Sequence, residues 1–342
     1  VKRHGNLFDR IVSPENLHAG FARAKKGKGW QRTVQAVETH CADRMEQLRE
    51  ELVSGRFQTS PYRVRTIYEP KTRDIYILPF YPDRIVQHAI MNILEPIWTP
   101  LFINESYACI PGRGLHAGCR KTMEFVRRFR YFLKCDISKF YPSMVHDILF
   151  AIIKRKIKCQ RTLDLLGRII YALPGGKNVP IGNYTSQWKG NLYLNEVDML
   201  VKHRLRIKGY VRYCDDFILF DDSKAVLRDA REVIRGYIGD RLGLTYSRCD
   251  IAPVTQGVDF LGYRHFPNKI LLRKSTARRV RRRLVRLPEL YSKGAITLER
   301  YRSSVASTWG WLKWANSYHF RLSVCLQEIQ DDIDTICASQ AV

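Results

Sequence analysis

Three carboxylates mark where this sequence can do chemistry. Asp136 closes the run Arg130-Tyr-Phe-Leu-Lys-Cys-Asp136, and Asp215-Asp216 sits between Tyr210-Val-Arg-Tyr213 and Phe217-Ile-Leu-Phe220. Short runs this rich in aromatic and branched residues read as buried strands. The first run is then a strand ending on an acid. The other two make a hairpin with two acids at its tip. Hard carboxylate oxygens suit Mg²⁺, which shares its shell with substrate phosphates, so two or three acids on rigid strand ends suffice for a pair of ions. Such a pair lowers the pKa of an attacking 3′-hydroxyl and steadies a leaving pyrophosphate. Adjacent aspartates are also ordinary turn residues, and Asp221-Asp222-Ser223 reads as only a loop. A hairpin tip between apolar strands, by contrast, has no packing reason to hold two charges.

The elements that must carry these acids follow from periodicity. Residues 1–55 are helix-like and basic in places, with residues 34–54 at helical spacing and a basic loop at Ala24–Trp30. Residues 62–78 turn strand-like around Glu69-Pro70-Lys71-Thr72. A helix is expected over 82–98, opened by Pro82-Asp83. Tyr107–Gly114 reads as a glycine-rich turn feeding another helix. Residues 145–173 read as helical, then 187–206 after a break at Pro174-Gly175-Gly176, and 224–240 after the hairpin. Residues 258–263 suggest a short strand, and from 275 the chain reads as helical. This order is α+β and not doubly wound.

Fifty-eight Lys and Arg against thirty-three Asp and Glu leave a net charge of +25. An excess this large draws polyanions, and nucleic acid is the expected partner. With 45% apolar residues the 342-residue chain can fill a core in two or three lobes. No run is apolar enough to anchor in a membrane, and cytoplasmic residence is the expectation. The nine cysteines contain no CxxC pair, which argues against structural zinc and for small buried hydrophobes in a reducing compartment.

At this point the chain resembles the reverse transcriptase family. Tyr213-Cys214-Asp215-Asp216 looks like its YxDD box, and Leu133-Lys-Cys-Asp-Ile-Ser-Lys-Phe-Tyr141 looks like the first catalytic-aspartate block. Lys71-Thr72-Arg73 and Asp83-Arg-Ile-Val-Gln-His-Ala89 match the fingers blocks. Phe260-Leu261-Gly262-Tyr263 matches the block after YxDD, and residues 303–314 look like the thumb of bacterial and group II intron-like enzymes. The resemblance implies a right hand: an N-terminal helical extension (1–58), mainly fingers (59–128), a ferredoxin-like palm (129–266, including fingers and palm helices at 145–173) and a helical thumb (267–342). It implies RNA-templated DNA synthesis with two Mg²⁺ ions, Mn²⁺ being an alternative, held by Asp136, Asp215 and Asp216. Template RNA, the cDNA/RNA duplex and deoxynucleotides are the implied partners.

Residues 180–187, Pro-Ile-Gly-Asn-Tyr-Thr-Ser-Gln, carry Ile181 where most members have Gln, and Gln187 where most have Pro. That combination resembles the reverse transcriptases of diversity-generating retroelements, which are bacterial or phage-encoded. Those enzymes copy a template RNA with errors at adenines for mutagenic retrohoming. The resemblance implies a small, helical, oligomeric accessory protein, and the brevity of the chain after the thumb is also like theirs. Retron and group II intron-derived enzymes are the rivals within the class. A catalytically dead nucleic-acid-binding module and an RNA-dependent RNA polymerase are the rivals outside it.

By the same resemblance Tyr141 is a steric gate under the sugar, against a default of core packing. Lys71 and Arg73 would grip the triphosphate, against a solvated hairpin tip. Ile181 and Gly182 would line the nucleotide, with Arg73 and Ile181 governing fidelity. In residues 274–286, Arg278, Arg279, Arg282, Arg283 and Arg286 would lie along a nucleic-acid backbone, against the reading of a solvated face. Trp309, Trp311 and Trp314 read as core. Arg248 stands where members often carry a lysine, so no residue is assigned to protonate pyrophosphate.

Overall fold

Alternation along residues 131–137 decides which way the first acid faces. Leu133, Cys135 and Ile137 enter the main core, and Phe132 enters a second cluster on the opposite side. A strand sends successive side chains to opposite faces, so Lys134 and Asp136 share the face of Phe132. The computed structural model describes residues 2–68 and 71–339. Of the expected turn at 69–72, Glu69 and Pro70 lie outside the described residues.

Four helices come first: α1 (Phe8–Ile11), α2 (Pro14–Lys25), α3 (Arg32–Thr39) and α4 (Cys41–Val53). Ser13 caps α2 by accepting from the Asn16 N–H, and Pro14 opens it. The antiparallel pair β1 (Arg63–Ile67) and β2 (Arg73–Ile77) follows. Then come α5 (Ile85–Trp98), α6 (Leu115–Arg128), β3 (Tyr131–Ile137), α7 (Phe140–Ser143), α8 (His146–Lys154), α9 (Gln160–Ile170) and α10 (Tyr184–Met199). The acidic hairpin is β4 (Gly209–Tyr213) and β5 (Asp216–Asp221). It is followed by α11 (Lys224–Leu242), β6 (Tyr246–Pro253), β7 (Val258–Phe260), β8 (Tyr263–Phe266) and β9 (Lys269–Leu272). Four helices close the chain: α12 (Lys274–Ser292), α13 (Leu298–Leu312), α14 (Tyr318–Leu322) and α15 (Leu326–Ser339).

Strands β4-β5-β3-β6, in that order and all antiparallel, form the central sheet. Helices separate β3 from β4 and β5 from β6, which gives the split β-α-β-β-α-β unit of a ferredoxin-like sheet. Helices α10 and α11 cover one face with the main core. On the other, Phe125 and Val126 of α6 and Val258, Phe260 and Tyr263 of the β7–β8 hairpin pack on Phe132, Val211, Ile218 and Phe220. A third cluster, including Leu284, Tyr301, Leu312 and Ile333, holds α12, α13 and α15 together. No helix among the described residues is long and apolar enough to cross a membrane.

Three expectations about elements need correction. The helical stretch 145–173 is two helices. Backbone bonds from His4 to Lys156 and Lys158 occupy the break between α8 and α9. The stretch 34–54 is also interrupted, at His40. The single strand expected at 258–263 is a hairpin: Leu261 and Gly262 both take positive φ, 55° and 85°, and turn the chain in two residues.

Candidate catalytic centre

Asp136 of β3 pairs directly with Asp216 of β5, and both side chains point to the α6 face of the sheet. Like charges directly opposite on one face destabilise a sheet, so this register is an electrostatic cost that packing does not explain. The adjoining hairpin turns through Cys214 and Asp215, with Tyr213 paired to Asp216 and Cys214 at φ 54°. Asp215 therefore projects from the tip, next to the facing pair. On the other side of β3 the register shifts between Asp136 and Ile137, which leaves Ser247 of β6 as the extra residue of a β-bulge. The bulge aims the Ser247 hydroxyl at Asp136 Oδ2, at 2.5 Å.

Lys134 offsets part of the cost. Its buried ammonium lies 3.2 Å from Asp216 Oδ2 and donates to the Asp259 carbonyl of β7 at 2.5 Å. Asp216 Oδ1 is buried with no hydrogen-bond partner. Burial pushes the Asp216 carboxyl up to about 6, Lys134 opposes the shift, and Asp136 and Asp215 add to it. Burial also raises the Asp215 carboxyl, reinforced by Asp136 and opposed by Arg73 and Lys71. The two basic residues of the β1–β2 hairpin thus lie within electrostatic reach of the acid at the tip.

Crowded carboxylates with raised pKa values, one holding an unpartnered buried oxygen, are a donor set that a hard divalent cation relieves. The residues therefore fit Mg²⁺ in chemistry. They do not form a closed protein cage: no group of three His, Cys, Asp or Glu side chains among the described residues is arranged to hold a metal on its own. Asp216 Oδ2 faces Lys134. Asp136 and Asp215 remain as the open pair, the minimum where substrate phosphates complete the shell.

The tip is braced from beneath by a network the sequence reading did not pick out. Arg212, wholly buried, donates from Nε and Nη2 to the two oxygens of Asp198 in α10 at 2.7 and 2.6 Å. Its Nη1 donates to Asn191 Oδ1 at 3.2 Å and to the Cys214 carbonyl at 3.1 Å. Tyr210 adds a hydroxyl to Asp198 at 2.8 Å. The signal was available: an arginine in the apolar run Tyr-Val-Arg-Tyr must find an acid or stay out of the core. Lys134 and Ser247 were also missed as partners of the acids. Lys134 belongs to the run that identified Asp136, and Ser247 lies in a stretch too polar to read as a strand.

Tyr141 follows the short turn after β3, and burial raises its phenol, with Cys214, Cys109 and Asp215 contributing in that order. It lies against α10 at Gly190, where an added Cβ would come within 3.1 Å of its hydroxyl. Ile181 is half-buried and not a core residue. Its carbonyl accepts from the Tyr76 N–H at 2.8 Å, which docks β2 on the 180–183 turn. Gly182 has φ +113°, and a Cβ there would lie 2.9 Å from the Tyr76 carbonyl oxygen, so the docking needs glycine. Lys71 and Arg73 are exposed on the hairpin so docked. Gln187 is exposed in the first turn of α10.

The block at Phe260, Leu261, Gly262 and Tyr263 is the tip of the β7–β8 hairpin. It packs Gly262 under Trp311 of α13, and Tyr263 stacks on that indole at 5.2 Å. Trp314 stacks on His116 at 4.3 Å and Trp309 lies against Arg321, so all three tryptophans pack within the protein. Arg278, Arg279, Arg282 and Arg286 are exposed on α12. Arg283 is drawn to Thr308 and Ser304 of α13, and Arg281 bonds Ser323. The loop at 221–223 has turn duties: Asp221 accepts from the Ser223 N–H, Asp222 from the Arg130 N–H, and Ser223 caps α11. Arg248 is paired with Asp250.

Comparison with known proteins fits this geometry. The family model described as reverse transcriptase (RNA-dependent DNA polymerase) matches residues 70–265, more than half of the chain. Protein YkfC of Escherichia coli K12 is 28% identical over 280 residues, covering 67% of this chain and 72% of its own. The group II intron-encoded protein LtrA of Lactococcus lactis is 25% identical over 210 residues, covering 57% of this chain and 35% of its own. Nuclear intron maturase 4 of Arabidopsis thaliana is 23% identical over 207 residues, covering 57% and 25%. The chain therefore spans most of YkfC but about a third or less of these intron proteins.

Proposed function

The chain belongs to the reverse transcriptase family, and on that premise we propose that it is an RNA-directed DNA polymerase that makes cDNA from a template RNA. The observation that carries the reading is the facing pair Asp136 and Asp216 with Asp215 beside it. That register costs folding energy and is repaid by chemistry on polyphosphates. In this reading Asp136 and Asp215 hold two Mg²⁺ ions, and Asp216, bound to Lys134, shapes the field around them. The ions would activate the primer 3′-hydroxyl and neutralise charge on the leaving pyrophosphate. Lys71 and Arg73 bind the triphosphate from the β1–β2 side. Tyr141, backed by Gly190, closes the space under the sugar so that a 2′-hydroxyl does not fit. The central sheet acts as the palm, β1–β2 belongs to the fingers, and α12–α15 form the thumb. The domain boundaries expected above go with that assignment.

We assign the chain, more finely, to the diversity-generating retroelement lineage, because Ile181 offers no amide where it meets the docked β2. An accessory protein is part of this reading. The intron-encoded relatives favour a second reading, a group II intron-derived reverse transcriptase of ordinary fidelity. Primer extension on a defined RNA by Asp136→Asn and Asp215→Asn tests the polymerase. Loss of extension with retained RNA binding is expected, and full activity in either variant overturns it. Error spectra of the wild type and Ile181→Gln test the lineage. A wild type prone to errors at template adenines, and a variant with fewer of them, is the expected result. One lost polar contact of about 1 kcal/mol shifts a misincorporation ratio several-fold. A wild type faithful at adenines with its partner present leaves the intron reading.

A further inference from the structure

Two pairs of thiols flank the acids, one on each catalytic strand end. Cys135 immediately precedes Asp136, and its sulfur lies 3.2 Å from that of Cys249. Cys214 immediately precedes Asp215, and Cys109 lies beside it on the loop before α6. This second pairing has a backbone cause. The loop before α6 runs parallel to β4, with Ser106 bridged to Arg212, the Tyr107 N–H donating to the Arg212 carbonyl at 3.0 Å and the Arg212 N–H to the Glu105 carbonyl at 2.9 Å. Asn191 of α10 fixes the same loop by donating to the Ala108 carbonyl at 2.8 Å, while Arg212 holds the Cys214 carbonyl. Both chains then turn through left-handed residues, Cys109 at φ 55° and Cys214 at φ 54°. The two cysteines are thus set side by side by rigid neighbours. They differ from the first pair in access: Cys109 is exposed, whereas Cys135 is wholly buried.

We propose that Cys109 and Cys214 form a dithiol modification site at the mouth of the catalytic centre, one that reacts with small-molecule disulfides and stops polymerisation when it closes. The exposed Cys109, as thiolate, attacks one sulfur of the reagent disulfide; that S–S bond breaks and the first reagent thiolate leaves. Cys214 then gives its proton to water and attacks the Cys109 sulfur, expelling the second reagent thiolate. Two protein thiols are oxidised and one reagent disulfide is reduced to two thiols, so electrons balance. The new bond ties the residue before Asp215 to the 105–110 loop, beside Tyr141. A catalytic group tolerates displacement of only about half an ångström, and the turn must shift its torsions to close the bond. The consequence for polymerisation rests on the function proposed above, whereas the dithiol chemistry does not.

The test treats the full chain with oxidised glutathione and reads two signals. Peptide mapping should show a Cys109–Cys214 cross-link with a mass lower by two hydrogens, and Cys135 and Cys249 still reduced. Primer extension should fall about a hundredfold and return with dithiothreitol. Cys109→Ser should lose the cross-link and keep its extension under oxidant. Absence of the cross-link, a glutathione adduct that never closes, or equal inhibition of Cys109→Ser would overturn the proposal, and a cross-link without loss of extension would overturn its regulatory part. If unoxidised protein extends no primer, the polymerase reading fails, while the cross-link still decides the dithiol site.

Discussion

Asp136 and Asp216 oppose each other across two strands that could have held apolar residues. On the function proposed above Asp136 and Asp215 hold the metal ions, and replacing such a carboxylate by an amide keeps the shape and removes the charge. Asp136→Asn and Asp215→Asn should each cost roughly 4 kcal/mol of transition-state stabilisation, about a thousandfold in rate, with template binding little changed. Asp216→Asn should be milder, because its carboxylate is already bound to Lys134. Asp221→Asn, whose carboxylate serves a turn, is the control. Single-turnover extension with matched protein concentrations checks all four. Tyr141→Ala makes a separate prediction. If the ring only packed, the variant would unfold more readily and keep its sugar selectivity. A gate instead predicts a folded variant that incorporates ribonucleotides, measured as the ratio of dNTP to NTP incorporation.

Lys189 offers a test of stability rather than chemistry. It is wholly enclosed in α10, has no acidic partner among the described residues, and burial lowers its ammonium to about 7. The sign follows from linkage. The fold favours the neutral form, so the wild type is stabilised at high pH and loses that stability as pH falls from 10.5 towards 7. Lys189→Met should therefore raise the melting temperature at pH 7, and the gain should shrink towards about pH 10. A gain independent of pH would mean that the ammonium stays charged and solvated in the fold.

Elements turned on partners rather than on propensity wherever the sequence reading fell short. The acid-tipped hairpin, the strand before Asp136, α5, α11 and the basic α12 were legible, because each repeats one period over its whole length. Strand β6 was not. It is an edge strand with Ser247, Arg248 and Asp250 turned outward, and solvated edges carry the polar composition of loops. Yet β6 supplies the bulge that gives Asp136 its hydroxyl partner. The Arg212–Asp198 pair was illegible for a different reason: its members lie on different elements, and spacing along the chain does not show which acid an arginine meets. The prediction here concerns α10 and β4 together. Asp198→Asn leaves Arg212 buried and unpaired, which costs about 3–5 kcal/mol, and it loosens the Cys214 carbonyl at the tip. Denaturant unfolding should show the loss. Extension should also fall in protein that is still folded, whereas a purely structural brace would leave the folded fraction fully active.

At the scale of the whole molecule the charge of +25 has to go somewhere useful. Helix α12 shows where part of it goes. Its apolar residues Val280, Leu284 and Leu287 hold it to the rest of the C-terminal bundle. Arg278, Arg282 and Arg286, four residues apart, line one exposed side without an ion pair among the described residues. Arg283 is exposed but bonded to Ser304 and Thr308 of α13, and desolvation, then Arg279 and Arg300, lowers its pKa, so the cluster repels itself even where it is bonded. A protein interface and a nucleic-acid backbone would both relieve that repulsion, and salt separates them. Each phosphate neutralised releases a condensed counterion, so the slope of log affinity against log salt counts the contacts. Replacing Arg278, Arg282 and Arg286 with Gln should weaken binding of a template–primer duplex equally for unrelated sequences. The slope should become shallower by about one for each arginine that touches phosphate, up to about three. The same variant should melt at the wild-type temperature, because none of the three pairs with an acid among the described residues. A slope unchanged at equal folding would assign this side of α12 to a protein partner.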